Sequence, residues 1–221
     1  MVTKVGGNGA RPLIESFAEL QRSLAQAAPD ALPETFLARA LELTRLAPSE
    51  SYFQPWRWII VRSEHGKQQL EAATYSETPL SRSPIVLVCL ADTAAWKTTP
   101  KQLQEMVAAK ALSAEDARNV LSQIRKYYSA SPQLAERAAL ANAFLAVHQI
   151  LVAATCCHVP AQWVSVFDEK KIQTYFHIPD QFLVAALLAI GHKEIDAPPA
   201  VGLPAQPFVY HEKFGEGAVA P

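Results

Sequence analysis

The chain has 221 residues, half of them hydrophobic, and 20 Lys and Arg against 21 Asp and Glu give a net charge of −1. That length suits one domain with a sizeable core, and the balanced charge, with no basic run, speaks against the basic face that nucleic-acid binding favours. The three cysteines, Cys89 and the adjacent Cys156 and Cys157, match neither a disulfide framework nor a CxxC metal spacing, and read as free thiols in a reducing cytoplasm.

Residues 1–11 are Gly-rich and lack the apolar stretch of a signal peptide. A flexible arm is expected there, then one domain over residues 12–215 and a tail at 216–221. The Val5–Gly9 run has no preceding strand and lacks the GxGxxG spacing of a dinucleotide fingerprint. In Pro12–Gln26, Leu13, Phe17, Leu20 and Leu24 recur every three or four residues, which is one helical stripe. Pro33 opens a second helix with Phe36, Leu37, Ala40, Leu41 and Leu43 on its apolar face. Pro48 ends that helix near Ala47, because the residue before a proline is pushed out of the helical region. Trp56–Arg62 reads as a strand and Gly66–Tyr75 as a short helix with Lys67 and Gln68 exposed. Pro84–Ala91 is continuously apolar, a strand buried on both faces.

Residues 93–131 are more charged and are expected as a helical insertion, with patches at Lys101–Ala111 and Ala114–Tyr128 and Ser113 capping the second. Pro132 starts a long helix to Cys157 that is apolar nearly all round from Ala138 onwards. This predicts a central buried helix and makes His148 a core histidine. Its apolar stretch Phe144–Thr155, like Phe182–Ile190, falls short of the ~18 residues a bilayer span needs, so both are assigned to a core. Gln162–Val166 reads as a strand, Asp168 as the N-cap of a helix over Glu169–Phe176, and Leu183–Ile190 as a buried strand ended by Gly191. The Pro-rich connector Asp196–Pro207 leads to a last apolar run, Phe208–His211, expected to dock on a partner chain. Segregated helices with few strands point to the α+β class.

No GxSxG elbow, P-loop, HExxH or EF-hand loop is present. The six histidines lack ligand spacing, so no metal is expected. Trp56 and Trp163 are expected in the core. The residues alone reach an α+β domain that binds something non-metallic.

Residues 47–61, APSESYFQPWRWIIV, resemble the APSxxNxQPWxFIVV signature of the FMN-dependent nitroreductase family. Gln162–Asp168, QWVSVFD, is similar to that family's CWIGGFD segment. The apolar Val184–Gly191 and the tail Tyr210–Gly215 resemble further family segments, in the same order. On these motifs the chain is identified as a divergent member. The resemblance implies a central, mainly antiparallel sheet wrapped by helices, in a homodimer whose C-terminal strand is exchanged between subunits. It implies FMN as cofactor, NAD(P)H as co-substrate, a nitroaromatic or quinone-type acceptor and a cytoplasmic location, with no nucleic acid or membrane as partner. Carried onto this sequence, it gives Arg22 and Ser23 to the FMN phosphate, and Pro48, Ser49, Ser51, Gln54, Ser165 and Val166 to the rest of the flavin. No side chain is assigned as catalytic, because the flavin carries the redox chemistry. The sequence departs from the family where basic phosphate contacts are replaced by Gln21 and Ala25, and where none stands near Val201–Gly202. Tyr52 replaces an Asn and Val166 replaces a Gly. These departures leave a second reading, a flavin-free or weakly flavin-binding relative serving as a dimeric ligand-binding or structural protein.

Overall fold

The computed structural model describes residues 34–50, 53–75, 79–157, 159–191, 210 and 212–214. The expected first helix, Pro12–Gln26, lies outside them. Helix α1 (Glu34–Leu43) buries Phe36, Leu37, Ala40 and Leu43, the stripe read from the sequence. A 3-10 turn, Thr44–Leu46, tightens its end, and Ala47 turns extended (φ −62, ψ 133), as Pro48 requires. Strand β1 (Trp56–Val61) follows, then helix α2 (Glu64–Ala73), capped by the Ser63 hydroxyl accepting from the Gly66 amide.

Lys67 corrects the sequence reading. It is 7% exposed, and its ammonium donates to the carbonyls of Ser81 and Ser83, both at 2.9 Å, with Glu64 at 3.1 Å. The 3-10 turn Leu80–Arg82 brings those carbonyls together beside α2, where a long cationic side chain satisfies them.

Strand β2 (Ile85–Asp92) is buried along its whole length, as expected. Helices α3 (Thr99–Ala108) and α4 (Ala114–Tyr128) form the helical insertion. The Ser113 hydroxyl caps α4 by accepting from the Asp116 amide at 3.0 Å. Helix α5 (Pro132–Cys156), strand β3 (Ala161–Val164), helix α6 (Glu169–Tyr175) and strand β4 (Phe182–Ile190) complete the described elements. Asp168 caps α6 as expected, and Gly191 ends β4 at φ 85, a conformation open to glycine.

The four strands form one antiparallel sheet in the order β1-β2-β4-β3. Alternation along β2 divides the core. Ile85, Leu87, Cys89 and Ala91 face α1 and α5, while Val86, Val88 and Leu90 face α2 and α6. Ala185 is an extra residue in β4, between the pairs Cys89–Ala186 and Leu90–Val184. The Val184 amide at this bulge donates to Glu169 Oε1 at 2.7 Å. A third cluster, with Phe53, Ala95, Ile124, Tyr128, Ala135 and Ala138, seats the helical insertion on the start of α5.

Helix α5 is not buried all round. Ala139, Ala143, Ala146, Val147, Ile150, Ala153 and Ala154 face the sheet and α1, whereas Ala141, Phe144, Leu145 and His148 are exposed. His148 is therefore a surface residue. Trp163 also departs from its expected place: it is 48% exposed and lies against Phe144 with ring centroids 5.7 Å apart. Trp56 is buried. The apolar character of α5 predicts burial all round, but the described residues cover only one face. Taken whole, α5 is long and apolar enough to cross a membrane by length and composition, which its Phe144–Thr155 stretch alone is not. Its buried face packs as the core helix of a folded domain. Of Phe208–His211, only Tyr210 is described; it is exposed, and its ring lies 4.5 Å from that of Phe214.

Candidate functional site

The segment between α1 and β1 is held from several directions. The Ala47 amide donates to the Thr44 carbonyl at 3.0 Å. The Glu50 amide donates to Asn142 Oδ1 of α5 at 2.7 Å. Phe53 is buried, edge-on to Tyr128 of α4 at 5.8 Å. The Pro55 carbonyl accepts from the Asp92 amide at 2.8 Å, tying the segment to the end of β2. Gln54 sits at φ 35, a left-handed conformation that costs a non-glycine residue of order 1–3 kcal/mol and is enriched at binding sites.

The surroundings hold that conformation in place. Gln54 Nε2 donates to the Arg45 carbonyl at 3.2 Å. Arg57 donates to the Gln54 carbonyl at 3.0 Å and to the Trp56 carbonyl at 2.8 Å, and pairs with Asp92 at 3.4 Å. Gln54 thus fixes the turn. The same side chain borders an open groove of about 390 Å³ lined by Arg39, Glu42, Leu43, Arg45 and Leu46. Pro48 is exposed and Ser49 half-buried.

The second segment leaves β3. Ser165 and Val166 are exposed, Val166 at 61%. The Val166 carbonyl accepts from the Tyr75 amide at 3.1 Å, and the Asp168 amide donates to the Ala73 carbonyl at 2.7 Å, so the end of α2 fixes this segment. The Val166 side chain fills no interior space of the protomer.

Strand register relates the two segments. Trp56 pairs with Ala91, and Ala91 with Leu183, at one end of the sheet. Val164 pairs with Leu187, so β3 runs towards that same end. Gln54, before β1, and Val166, after β3, therefore lie at the two opposite edges of the sheet towards the same end, the edge strands themselves being three strand spacings or about 14 Å apart. Pro48, Ser49 and Gln54 lie in the one segment between α1 and β1, and Ser165 and Val166 in the segment that leaves β3. Arg22, Ser23 and Ser51 lie outside the described residues, as do Gln21, Ala25, Tyr52 and Val201–Gly202.

The sequence reading missed Asn142, Arg57 and Tyr128, which position the first segment. Asn142 left one signal: it is polar on the stripe of Ala139, Ala143 and Ala146 that faces the core. Burial pushes the Tyr128 phenol above its ordinary range, and the hydrogen bond and negative charge of Glu50 add to the shift. Burial alone pushes the Cys89 thiol up.

A flavin ring offers flat apolar faces and an edge of oxygen and nitrogen acceptors. The neutral set at these segments, a serine hydroxyl, backbone amides and Pro48, fits the ring. Among the described residues no group of three or more His, Cys, Asp or Glu could hold a metal ion.

Comparison with known proteins agrees with this geometry. The profile of the Nitroreductase family matches residues 22–192. A protein named NADH dehydrogenase from Thermus thermophilus is 25% identical over 83% of this chain and 88% of its own length. A protein assigned as the NAD(P)H nitroreductase YodC of Bacillus subtilis is 26% identical over 70% of this chain and 76% of its own. In fold, the chain is similar to a protein assigned as a nitroreductase from Exiguobacterium sibiricum, solved in complex with FMN. There the TM-score is 0.74 at 19% identity, over 96% of this chain and 100% of that one. With the sheet, the two segments at its end and a profile match over most of the chain in agreement, this chain belongs to the nitroreductase family.

Proposed function

We propose that the protein is an FMN-dependent oxidoreductase that passes electrons from NAD(P)H to a small organic acceptor of the nitroaromatic or quinone type. The observation that supports this reading is that Pro48, Ser49 and Gln54 lie in the segment leading into β1, and Ser165 and Val166 in the segment leaving β3, towards one end of the sheet in a chain of this family. FMN, when bound, would supply the redox chemistry between nicotinamide and acceptor.

The chain's own residues bind and orient. Arg22 and Ser23 hold the phosphate. Pro48, Ser49, Ser51 and Gln54 would hold the flavin from one segment, and a backbone amide of Ser165 or Val166 would offer it a hydrogen-bond donor from the other. No side chain is assigned a proton-transfer role.

The working unit is a homodimer in the cytoplasm. Phe144, Leu145 and Trp163 form an exposed apolar face across α5 and the edge strand β3, which a second copy covers. The separation of the two segments, at opposite edges of the sheet, suits a flavin lying between protomers.

The test is turnover. Protein loaded with FMN should oxidise NADH or NADPH, read as loss of reduced-nicotinamide absorbance, when menadione or a nitrobenzene is supplied. No oxidation with either nicotinamide and either acceptor would reject the activity.

A further inference from the structure

The first flavin segment is gripped from outside itself by two residues to which no role in the family's chemistry has been given above. Asn142 is 4% exposed on an otherwise apolar face of α5. A buried amide there is costly unless its hydrogen bonds are made. Both are made: Nδ2 donates to the Ala138 carbonyl at 2.6 Å, and Oδ1 accepts from the Glu50 amide at 2.7 Å, 92 positions earlier in the chain. Tyr128, 5% exposed at the end of α4, meets the buried Phe53 ring edge-on at 5.8 Å and is backed by Trp96 at 6.4 Å. Glu50 and Phe53 are thus fixed by two different elements, one in the core and one in the helical insertion. Next to Phe53, Gln54 is held at φ 35, a conformation it would not keep by itself.

We infer that Asn142 and Tyr128 are positioning residues for flavin, acting through the Glu50 amide and the Phe53 ring, so that the helical insertion braces the flavin-contacting segment. The inference rests on the proposed function of that segment. An insertion seated this way couples its own movements to the cofactor. A displacement of α4 shifts the Phe53 ring, which stands directly before the strained Gln54.

The test titrates FMN into the purified full-length protein and follows quenching of flavin fluorescence, with circular dichroism reporting the fold. Asn142→Ala removes the acceptor for the Glu50 amide. Tyr128→Leu removes the ring from Phe53. Each folded variant should bind FMN at least fivefold more weakly than wild type, and Tyr128→Phe, which keeps the ring, should recover most of the affinity lost in Tyr128→Leu. A merely structural role would lower the melting temperature and leave the affinity of the folded protein unchanged. If Asn142→Ala does not fold, the tyrosine pair decides the question. A dissociation constant within twofold of wild type for either folded variant overturns the inference while leaving the flavin site standing. Wild type that takes up no FMN overturns both.

Discussion

The indole of Trp163 on the edge strand β3 lies against the phenyl ring of Phe144 on α5, centroids 5.7 Å apart, and both side chains are substantially exposed. An edge strand is open to association, and an apolar helix face beside it makes one continuous surface. We expect a homodimer burying more than about 2,000 Å², the range of obligate interfaces. Phe144→Asp puts a charge in place of a ring that is 37% exposed at the rim of this apolar surface, so the dimer should dissociate at limited cost to each protomer's fold. Sedimentation should show wild type as a dimer and the variant as a folded monomer at micromolar concentration. A wild-type monomer would contradict this.

Lys67 should be a stability residue. Lys67→Met keeps the aliphatic stem but strips the carbonyls of Ser81 and Ser83 of their shared donor. Two buried acceptors lose a charged partner, a cost of about 2–4 kcal/mol. Thermal melting should fall by several degrees. An unchanged melting temperature would mean that water replaces the ammonium.

Stability should fall in alkali. Cys89 is raised by burial, and Tyr128 by burial and then by Glu50, so each folded group keeps its proton at a pH where the unfolded chain has lost it. Below about pH 8.5 both states are protonated and neither group makes stability depend on pH. Above that value the unfolded thiol ionises, and near pH 10 the unfolded phenol follows. The stabilising contribution is therefore complete below the unfolded values and is lost as pH rises towards the folded ones. Urea midpoints should be level from pH 7 to 8 and decline above about pH 9. Cys89→Ala should flatten the first part of that decline, and an equally steep decline in this variant would remove Cys89 as a cause.

Arg22 is the cation that the family resemblance leaves for the FMN phosphate once Gln21 and Ala25 have replaced its neighbours. Arg22→Ala should weaken FMN by about one to two orders of magnitude, the loss of one charged hydrogen bond of ~1.5–3 kcal/mol. An unchanged dissociation constant would place the phosphate elsewhere.

Helix ends were legible because their signals are local. Pro48, Ser113, Pro132 and Asp168 each stop or start a helix where backbone geometry or a side-chain cap dictates. The continuous apolar run of β2 announced a strand covered on both faces. His148 and Trp163 were misplaced because hydropathy records that a residue avoids water, not whether its own chain or a second copy covers it. Lys67 was misplaced because the carbonyls it serves come from a turn fourteen or more residues away. At the site, Pro48, Ser49 and Gln54 stood out only through resemblance. The residues that hold them, Asn142 and Tyr128, come from distant parts of the chain; Asn142 marks itself only as a polar residue on an apolar stripe, and nothing in the spacing says what it holds.

Gln21, Ala25 and Val166 stand where the family resemblance would put two basic residues and a glycine around the flavin. Val166 is 61% exposed, so its methyls do not fill the protomer's interior, and a flavin edge could meet its backbone. The direct measurement is an FMN titration, followed by fluorescence quenching, of wild type, of Val166→Gly and of the triple variant Val166→Gly, Gln21→Arg, Ala25→Arg. The account predicts saturable binding by wild type, micromolar or tighter, with Val166→Gly changing affinity little. Binding gained by the triple variant and absent from wild type would contradict it.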